Sequence, residues 1–467
     1  MLNRDQADEI FNKLRKHSSA DEIELLLSSG RSALTRFANN TIHQNVAEAE
    51  THISVRVSFG GRTARATTNK QDDESLRRVV QSAEALARVQ AEDPELLPMP
   101  SAEEVARNGA EAGASPVRRY FDRTADLAAQ DRAAAVAQMV EVAKRYALTA
   151  AGIFSSSEVV EGIFNSRGVS EWYEQTLAEA SITMLGESSS GWQKANSPDV
   201  AQLDPRQLAE VAAQKAMASR NPRELAPGKY TVILEPAAVL DAVGFMFWDF
   251  GGAALLEQRS FLNERMGTQL FGENINVWDD AYHPLQMGAT FDGEGMKRHR
   301  VKLIEKGIVT NVTYARSSAK RMQESASAGN VGQITATGHG FALPNEIGEA
   351  PLNLVFTASE NARLQSVDEM VASTERGILV TRLWYIREVD PYEKILTGMT
   401  RDGTFLVEAG KIQGGIRNYR FNESLIHMLQ NVEAIGEPVR ASGEESMDMV
   451  VPPMKVRDFN FTETTKF

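Results

Sequence analysis

The sequence predicts an α+β fold, with an N-terminal domain of duplicated helix and antiparallel-sheet units followed by a mainly antiparallel-β C-terminal domain. Three observations carry it. Before residue 222, segments of helical and of strand periodicity follow one another in the same order twice. After residue 229 glycine turns become dense. Two hairpin signals of one form, an apolar strand, a Glu-x-Gly turn and a second strand, occur at 301–316 and 404–420.

The first unit opens with a helix whose apolar residues are Ala7, Ile10, Phe11 and Leu14. THISVRVSF (51–59) alternates as a half-buried strand does, and Gly60-Gly61 signals a hairpin turn. A closing helix begins at Asp72 or Asp73 and shows the face Leu76, Val79, Val80, Ala83 and Leu86.

The second unit repeats that order about 126 to 132 residues later. Ala133, Val136 and Val140 match Ala7, Ile10 and Leu14, Phe164 answers Phe37, and Ile182 answers Ile53. DPRQLAEVAAQKAMA (204–218) closes it, with Asp204 as cap, Pro205 at the first helical position, and Leu208, Val211 and Ala212 inward. A chance likeness of two α+β units would give a helix-covered sheet as well. The expected boundaries are 1–225 for the N-terminal domain, with copies at about 1–98 and 117–221, and 226–467 for the C-terminal domain. PSAEEVARNGAEAGASP (100–116) is the expected exposed connection between copies, and SRNPRELAPGK (219–229) the boundary between domains.

In the second half, Gly307 and Gly410 supply the positive φ that tight hairpins need. SVDEMVASTERG (366–377) predicts a short helix with a Ser366/Glu369 capping box and a terminal Gly377. GILVTRLWYIREVD (377–390) predicts a long strand covered on both faces. Asp402-Gly403 predicts a further hairpin turn, and FNESLIHMLQNVEAIG (421–436) a helix opening at Asn422.

Composition narrows the function. The 467 residues are 42% hydrophobic and 24% charged, enough for more than one globular domain. A net charge of −13, from 63 acids and 50 bases, repels a phosphate backbone, and the densest basic cluster is Lys297-Arg298-His299-Arg300. Nucleic acid is therefore not an expected partner. The chain has no cysteine, which excludes disulfides and thiolate chemistry and fits a cytoplasmic address. The N-terminal residues lack the apolar run of a signal peptide. Ala237–Leu256 approaches membrane-spanning length but contains Asp241 and Asp249, so no membrane partner is expected.

TRLWYIREVDPYEKILTGMTRDGTFLVEAGKIQGGIRNYRFNESL (381–425) resembles the C-terminal signature of the TldD/PmbA family, also called modulators of DNA gyrase. FDGEGMKRHRVKLIEKGIVTNVTYARSSAKR (291–321) resembles its middle signature, and ATGHG (336–340) its glycine-rich turn. The resemblance implies dimers around an enclosed chamber. It also implies that the TldD-type subunit is a metallopeptidase acting on unfolded peptides, with zinc held by an HExxxH helix and a later cysteine. The PmbA-type subunit, also called TldE, lacks those ligands and pairs with the catalytic one.

HExxxH works because two histidines four apart share one helix face while the glutamate polarises a metal-bound water. Here the equivalent helix is expected at 239–250, VLDAVGFMFWDF, where neither histidine stands. Its aromatics, Phe245, Phe247, Trp248 and Phe250, are expected to fill core space. No catalytic residue, metal ligand or cofactor of this chain's own is expected, zinc being assigned to a TldD-type partner. Among the histidines, His17, His43, His52, His283, His299, His339 and His427, no two have the spacing of a helical metal pair. A site assembled in space stays open.

The candidate substrate-binding residues are His339 and Gly340, on a turn that could offer imidazole and amide groups to a peptide, and Asp292 and Glu294, which could meet a cation or an amine. Local turn chemistry is the plainer reading of His339 and of the Asp292/Glu294 pair. Three functions follow: a PmbA-like non-catalytic partner of a TldD-type metallopeptidase, a metallopeptidase with other ligands, or a homodimeric peptide-binding protein.

Overall fold

The computed structural model describes residues 1–109, 117–325, 334–360 and 362–465. Helix α1 (Arg4–His17) leads to strands β1 (Glu22–Ala38), β2 (Thr41–Phe59) and β3 (Arg62–Thr68) and to helix α2 (Asp73–Val89). After two short helices, α3 (Ala102–Asn108) and α4 (Asp122–Ala125), the order returns as α5 (Ala129–Arg145), β4 (Thr149–Asn165), β5 (Ser170–Leu185), β6 (Ser190–Ser197) and α6 (Pro205–Ala218). From residue 110 to 116 the expected connection lies outside the described residues.

Local chemistry sets these ends. Asp72 accepts from the Ser75 amide to cap α2, and Asp204 accepts from Gln207 ahead of Pro205. Gly60 and Gly61, at φ 49° and 81°, turn β2 into β3. Two helical faces differ from expectation. In α2, Ala87 is buried and Leu86 exposed; in α6, Ala209, Ala212, Ala213 and Ala216 are buried instead of Leu208 and Val211. The alanine stripe lets α6 ride closely on β6, where a Cβ at Gly191 would stand 2.2 Å from Ala212 O.

All six strands form one sheet, β3-β2-β1-β4-β5-β6, so the two units meet at the antiparallel pair β1–β4. One face, with Ile23, Leu25, Leu27, Ile53, Val55 and Val57, packs on α1 and α2. The opposite face of β2 was expected to be wet, yet Ser54 and Arg56 are buried there beside Glu24. Arg56 donates to both Glu24 oxygens at 3.2 and 2.9 Å. Arg65 donates to Glu24 at 2.7 Å and through Nε to Leu343 O at 2.8 Å. The C-terminal half therefore covers this face, and buried ion pairing replaces water.

The second half contains β7 (Gly228–Leu234), α7 (Pro236–Val243), α8 (Gly252–Leu256), β8 (Ile275–Asp279), β9 (Val301–Glu305), β10 (Ile308–Val309), α9 (Arg316–Glu324), β11 (Leu354–Ala358) and α10 (Val367–Ala372). It continues with β12 (Arg376–Asp390), β13 (Ile395–Glu408), β14 (Lys411–Gly415), β15 (Tyr419–Ser424), α11 (Leu425–Gln430), β16 (Val432–Ile435), β17 (Val439–Ala441), β18 (Met449–Val451) and β19 (Met454–Thr464). One sheet runs β10-β9-β8-β11-β18-β17. In the other, β12, β7, β19, β15 and β13 close on themselves, because β12 also pairs with β13. Closure removes open edges, and the rings of Tyr419, Phe459 and Phe461 pack in the core with centroids 4.8 and 5.1 Å apart.

Both Glu-x-Gly hairpins form. Lys306-Gly307 (φ 48° and 78°) and Ala409-Gly410 (φ 49° and 73°) place both central residues in the left-handed region, the turn that matches strand twist. Three expectations fail. Asp402-Gly403 is no hairpin turn but an interruption inside β13, where Arg382 pairs with Asp402. Residues 421–436 form the end of β15, one short helix capped by Ser424, and β16, because β15 and β16 both pair with β19. Gly377 lies in β12 rather than at a helix end; Ser373 caps α10. The Ser366/Glu369 capping box is present.

Candidate functional site

Alternate residues of the N-terminal sheet point at the C-terminal half, and between the two lies a cavity of about 590 Å³. Leu26 and Ser28 of β1, His52 and Ser54 of β2, Arg65 of β3 and Glu161 and Ile163 of β4 form its floor. Loops 287–293, 339–342 and 352–353, with Arg298, form its roof. Such a volume suits one or two residues of a peptide or a small ligand.

The four residues singled out from sequence come together here. Asp292, His339 and Gly340 line the roof, and Glu294 stands behind them. Their polar atoms hold the wall. Asp292 Oδ1 accepts from the amides of Glu294 and Met296, both at 2.9 Å, and Oδ2 from the Gly340 amide at 2.8 Å. A Cβ at Gly340 would stand 2.7 Å from Glu294 Oε2 and 3.3 Å from Asp292 Oδ2, so glycine alone lets both acids close on the turn. Glu294 Oε2 accepts from the Arg316 amide at 3.2 Å. Burial first, and the charge of Glu294 second, push the Asp292 carboxyl well above the usual carboxylate range. Burial raises Glu294 too, against the pull of Arg316.

His339 is wholly buried. Its Nε2 lies 2.8 Å from Asp279 Oδ1 and its Nδ1 2.9 Å from Thr337 Oγ1, while Asp279 Oδ2 accepts from the Asn353 amide at 2.8 Å. Burial holds the imidazole below its ordinary value. With both nitrogens engaged, the ring braces the roof and offers nothing to a peptide.

Sequence reading missed the groups with spare capacity. Arg298, 8% exposed, donates Nη1 to Asn353 Oδ1 at 3.0 Å, and its Nε is buried without a partner. Glu161 is solvent-accessible but enclosed by the cavity, and that partial desolvation raises its carboxyl against the attraction of Arg298. Arg298 was visible in sequence only as part of a basic run, and Glu161 as one polar residue of an alternating strand.

The segment 239–250 is not one helix. α7 ends at Val243, a turn follows, and Phe247–Asp249 forms a single 3₁₀ turn. Phe247 and Phe250 are buried and in contact, 5.1 Å between centroids. Trp248 is not core: it is 47% exposed and stacks on Phe341, a cavity residue, with centroids 6.4 Å apart. Helical break at Gly244 rotates Trp248 outward while its neighbours turn in.

Family models describe three stretches of the chain: PmbA/TldA metallopeptidase domain 1 at 23–87, the central domain at 120–220 and the C-terminal domain at 227–463. The chain belongs to the PmbA/TldD family. It is 21% identical over 455 residues to "Metalloprotease PmbA" of Escherichia coli O157:H7, covering 94% of this chain and 92% of that one. Its fold matches crystal structures of TldE from Thermococcus kodakarensis, with TM-score 0.84, 17% identity and coverage of 98% and 100%, and of a Thermotoga maritima protein described as a DNA gyrase modulator, with TM-score 0.81, 17% identity and coverage of 98% and 99%. At such identity the structural likeness establishes the shared α+β fold alone.

The family is described as metallopeptidases, so the fit of a metal matters. Zinc needs imidazole, thiolate or free carboxylate donors. In 236–250 the acids are Asp241 and Asp249. Asp241 Oδ1 accepts from the amides of Glu444 and Glu445, both at 3.2 Å, and Asp249 pairs with the buried Lys394. Among the described residues no group of three or more His, Cys, Asp or Glu side chains is arranged to hold a metal ion. Zinc does not fit this segment. No helix of the described residues is long and apolar enough to cross a membrane.

Proposed function

We propose that this PmbA/TldD-family chain is a non-catalytic, PmbA/TldE-like subunit that holds unfolded peptide for a TldD-type zinc metallopeptidase in a cytoplasmic dimeric complex. The cavity between sheet and roof loops carries this reading. It is largely apolar, it has polar groups with spare hydrogen-bonding capacity, and the exposed Trp248–Phe341 stack extends its rim. The segment at which the resemblance implies a metal-bearing helix is given to packing and to two engaged aspartates.

The metalloprotease name of the Escherichia coli relative favours a second reading, in which this chain cleaves peptides itself. One assay separates them. The purified chain is analysed for bound zinc and incubated with an unfolded peptide, alone and with a TldD-type subunit. Cleavage confined to the mixture, exceeding that of the TldD-type subunit alone, supports the partner reading. Stoichiometric zinc and chelator-sensitive cleavage by the single chain overturn it. A homodimeric binder would hold peptide in both arms and accelerate neither.

A further inference from the structure

Arg298 is a buried cation with carboxylates nearby, Asp279 and Glu161, but none in contact with it. Among the described residues no carboxylate comes within 4.0 Å of its guanidinium, its Nε has no partner, and its one side-chain hydrogen bond goes to the neutral Asn353 Oδ1. Arg56 and Arg65 of the facing sheet are paired with Glu24, and the equally buried Arg119 and Arg132, whose Nε atoms also lack partners, donate through both terminal nitrogens, whereas Arg298 donates through one. Leaving a charge without a contacting partner is costly, and such a group calls for an explanation, an incoming ligand being one.

We infer that Arg298 receives the terminal carboxylate of a peptide whose last side chain is apolar. This rests on the peptide-holding function proposed above. A carboxylate matches the guanidinium fork, and the bond to Asn353 fixes the orientation of that fork. Leu26, Ile163, Phe291 and Leu352 form apolar walls for the side chain. Glu161, across the same cavity, accepts the N–H of the last peptide unit. A phosphate would fit less well. It brings up to two negative charges to one arginine in a roof that also holds Asp279 and Asp292, on a chain of net charge −13. A lysine or aspartate side chain at the peptide end would be buried among these walls unpaired.

Fluorescence anisotropy tests this on the full-length protein, with a hexapeptide labelled at its amino end, ending in leucine, as free acid and as amide. The free acid is expected to bind about tenfold or more tightly. Arg298→Gln should bind both forms as weakly as the wild type binds the amide, and Leu26→Trp, which fills the cavity and leaves Arg298 in place, should weaken both forms. Thermal melts confirm that each variant folds; if Arg298→Gln does not, the acid–amide comparison on the wild type and the Leu26→Trp result decide. Equal affinity for acid and amide overturns the carboxylate receptor and leaves peptide holding intact. Undiminished binding by Leu26→Trp places the peptide elsewhere and also overturns it. Binding of neither form by the wild type overturns both.

Discussion

His339 and Asp279 form a pair with no exposed surface on either side chain, Nε2 to Oδ1 at 2.8 Å. Asp279 anchors the roof a second time through the Asn353 amide at 2.8 Å, and Asn353 in turn orients Arg298. His339→Ala would leave the Asp279 carboxylate buried with its main partner gone, a loss of about 3–5 kcal/mol. Urea unfolding should show it, and His339→Ala/Asp279→Asn should recover part of the loss. A fully stable His339→Ala with impaired peptide binding would instead return the ring to a substrate-contacting role.

Acid and base act on different groups. Burial holds His339 below its ordinary value, so the unfolded ring takes up a proton first and stability falls as pH drops below about 6.5. Burial pushes Asp241 up to about 7 from 3.8, so the folded carboxyl keeps a proton that the unfolded one has released. Its contribution is complete below about pH 4 and is lost as pH rises to about 7. Asp241→Asn keeps an oxygen for the Glu444 and Glu445 amides and removes the ionisation. Its melting temperature should therefore exceed that of the wild type at pH 8 by more than at pH 4, with at most about 4 kcal/mol at stake. An identical pH slope in the two proteins would show that Asp241 has the same pKa folded and unfolded.

Trp248→Ala separates a rim residue from a core residue. Truncating a buried tryptophan costs about 3–5 kcal/mol. Trp248 is 47% exposed and its main aromatic contact is Phe341, so the cost should stay near 1 kcal/mol. Peptide affinity should fall by several-fold if the Trp248–Phe341 face is the rim of the holding site. Phe250→Ala, at a fully buried position, should show the larger stability loss in the same melt.

The sequence shows structure best where local chemistry decides it. Asp72, Asp204 and the Ser366/Glu369 box start helices as their residue types require, and the Gly60, Gly307 and Gly410 turns fall where strands must reverse. It fails where partners distant in sequence decide. The stretch 421–436 carries helical periodicity, yet pairing with β19 holds its two ends as strands. Asp402-Gly403 has turn composition, yet Arg382 holds it inside β13. The site follows the same division. Asp292, Glu294, His339 and Gly340 were visible as a turn-rich pair of motifs, and the structure does bring them together. Glu161 and Arg298 were not, because their significance arises only when a strand from the first half faces a loop from the second.

Two glycines in the same kind of turn should respond differently to one methyl group. Gly60 and Gly307 both sit at positive φ, 49° and 78°, where an L side chain is strained by roughly 1–2 kcal/mol. Around Gly60 an added Cβ meets nothing within 4 Å. At Gly307 it would stand 2.2 Å from Phe271 O and 2.6 Å from Gly272 O, and the Gly307 amide and carbonyl are themselves bound to Ile275, Leu270 and Phe271. Backbone cannot move aside there without breaking those bonds. Gly60→Ala should therefore lower stability by about 1 kcal/mol, the conformational strain alone. Gly307→Ala should lose roughly 3 kcal/mol or more, strain and overpacking together. Parallel urea titrations of the two variants measure the difference; equal losses would mean that the β9–β10 turn relaxes freely and that its contacts to 270–275 contribute little to holding the fold.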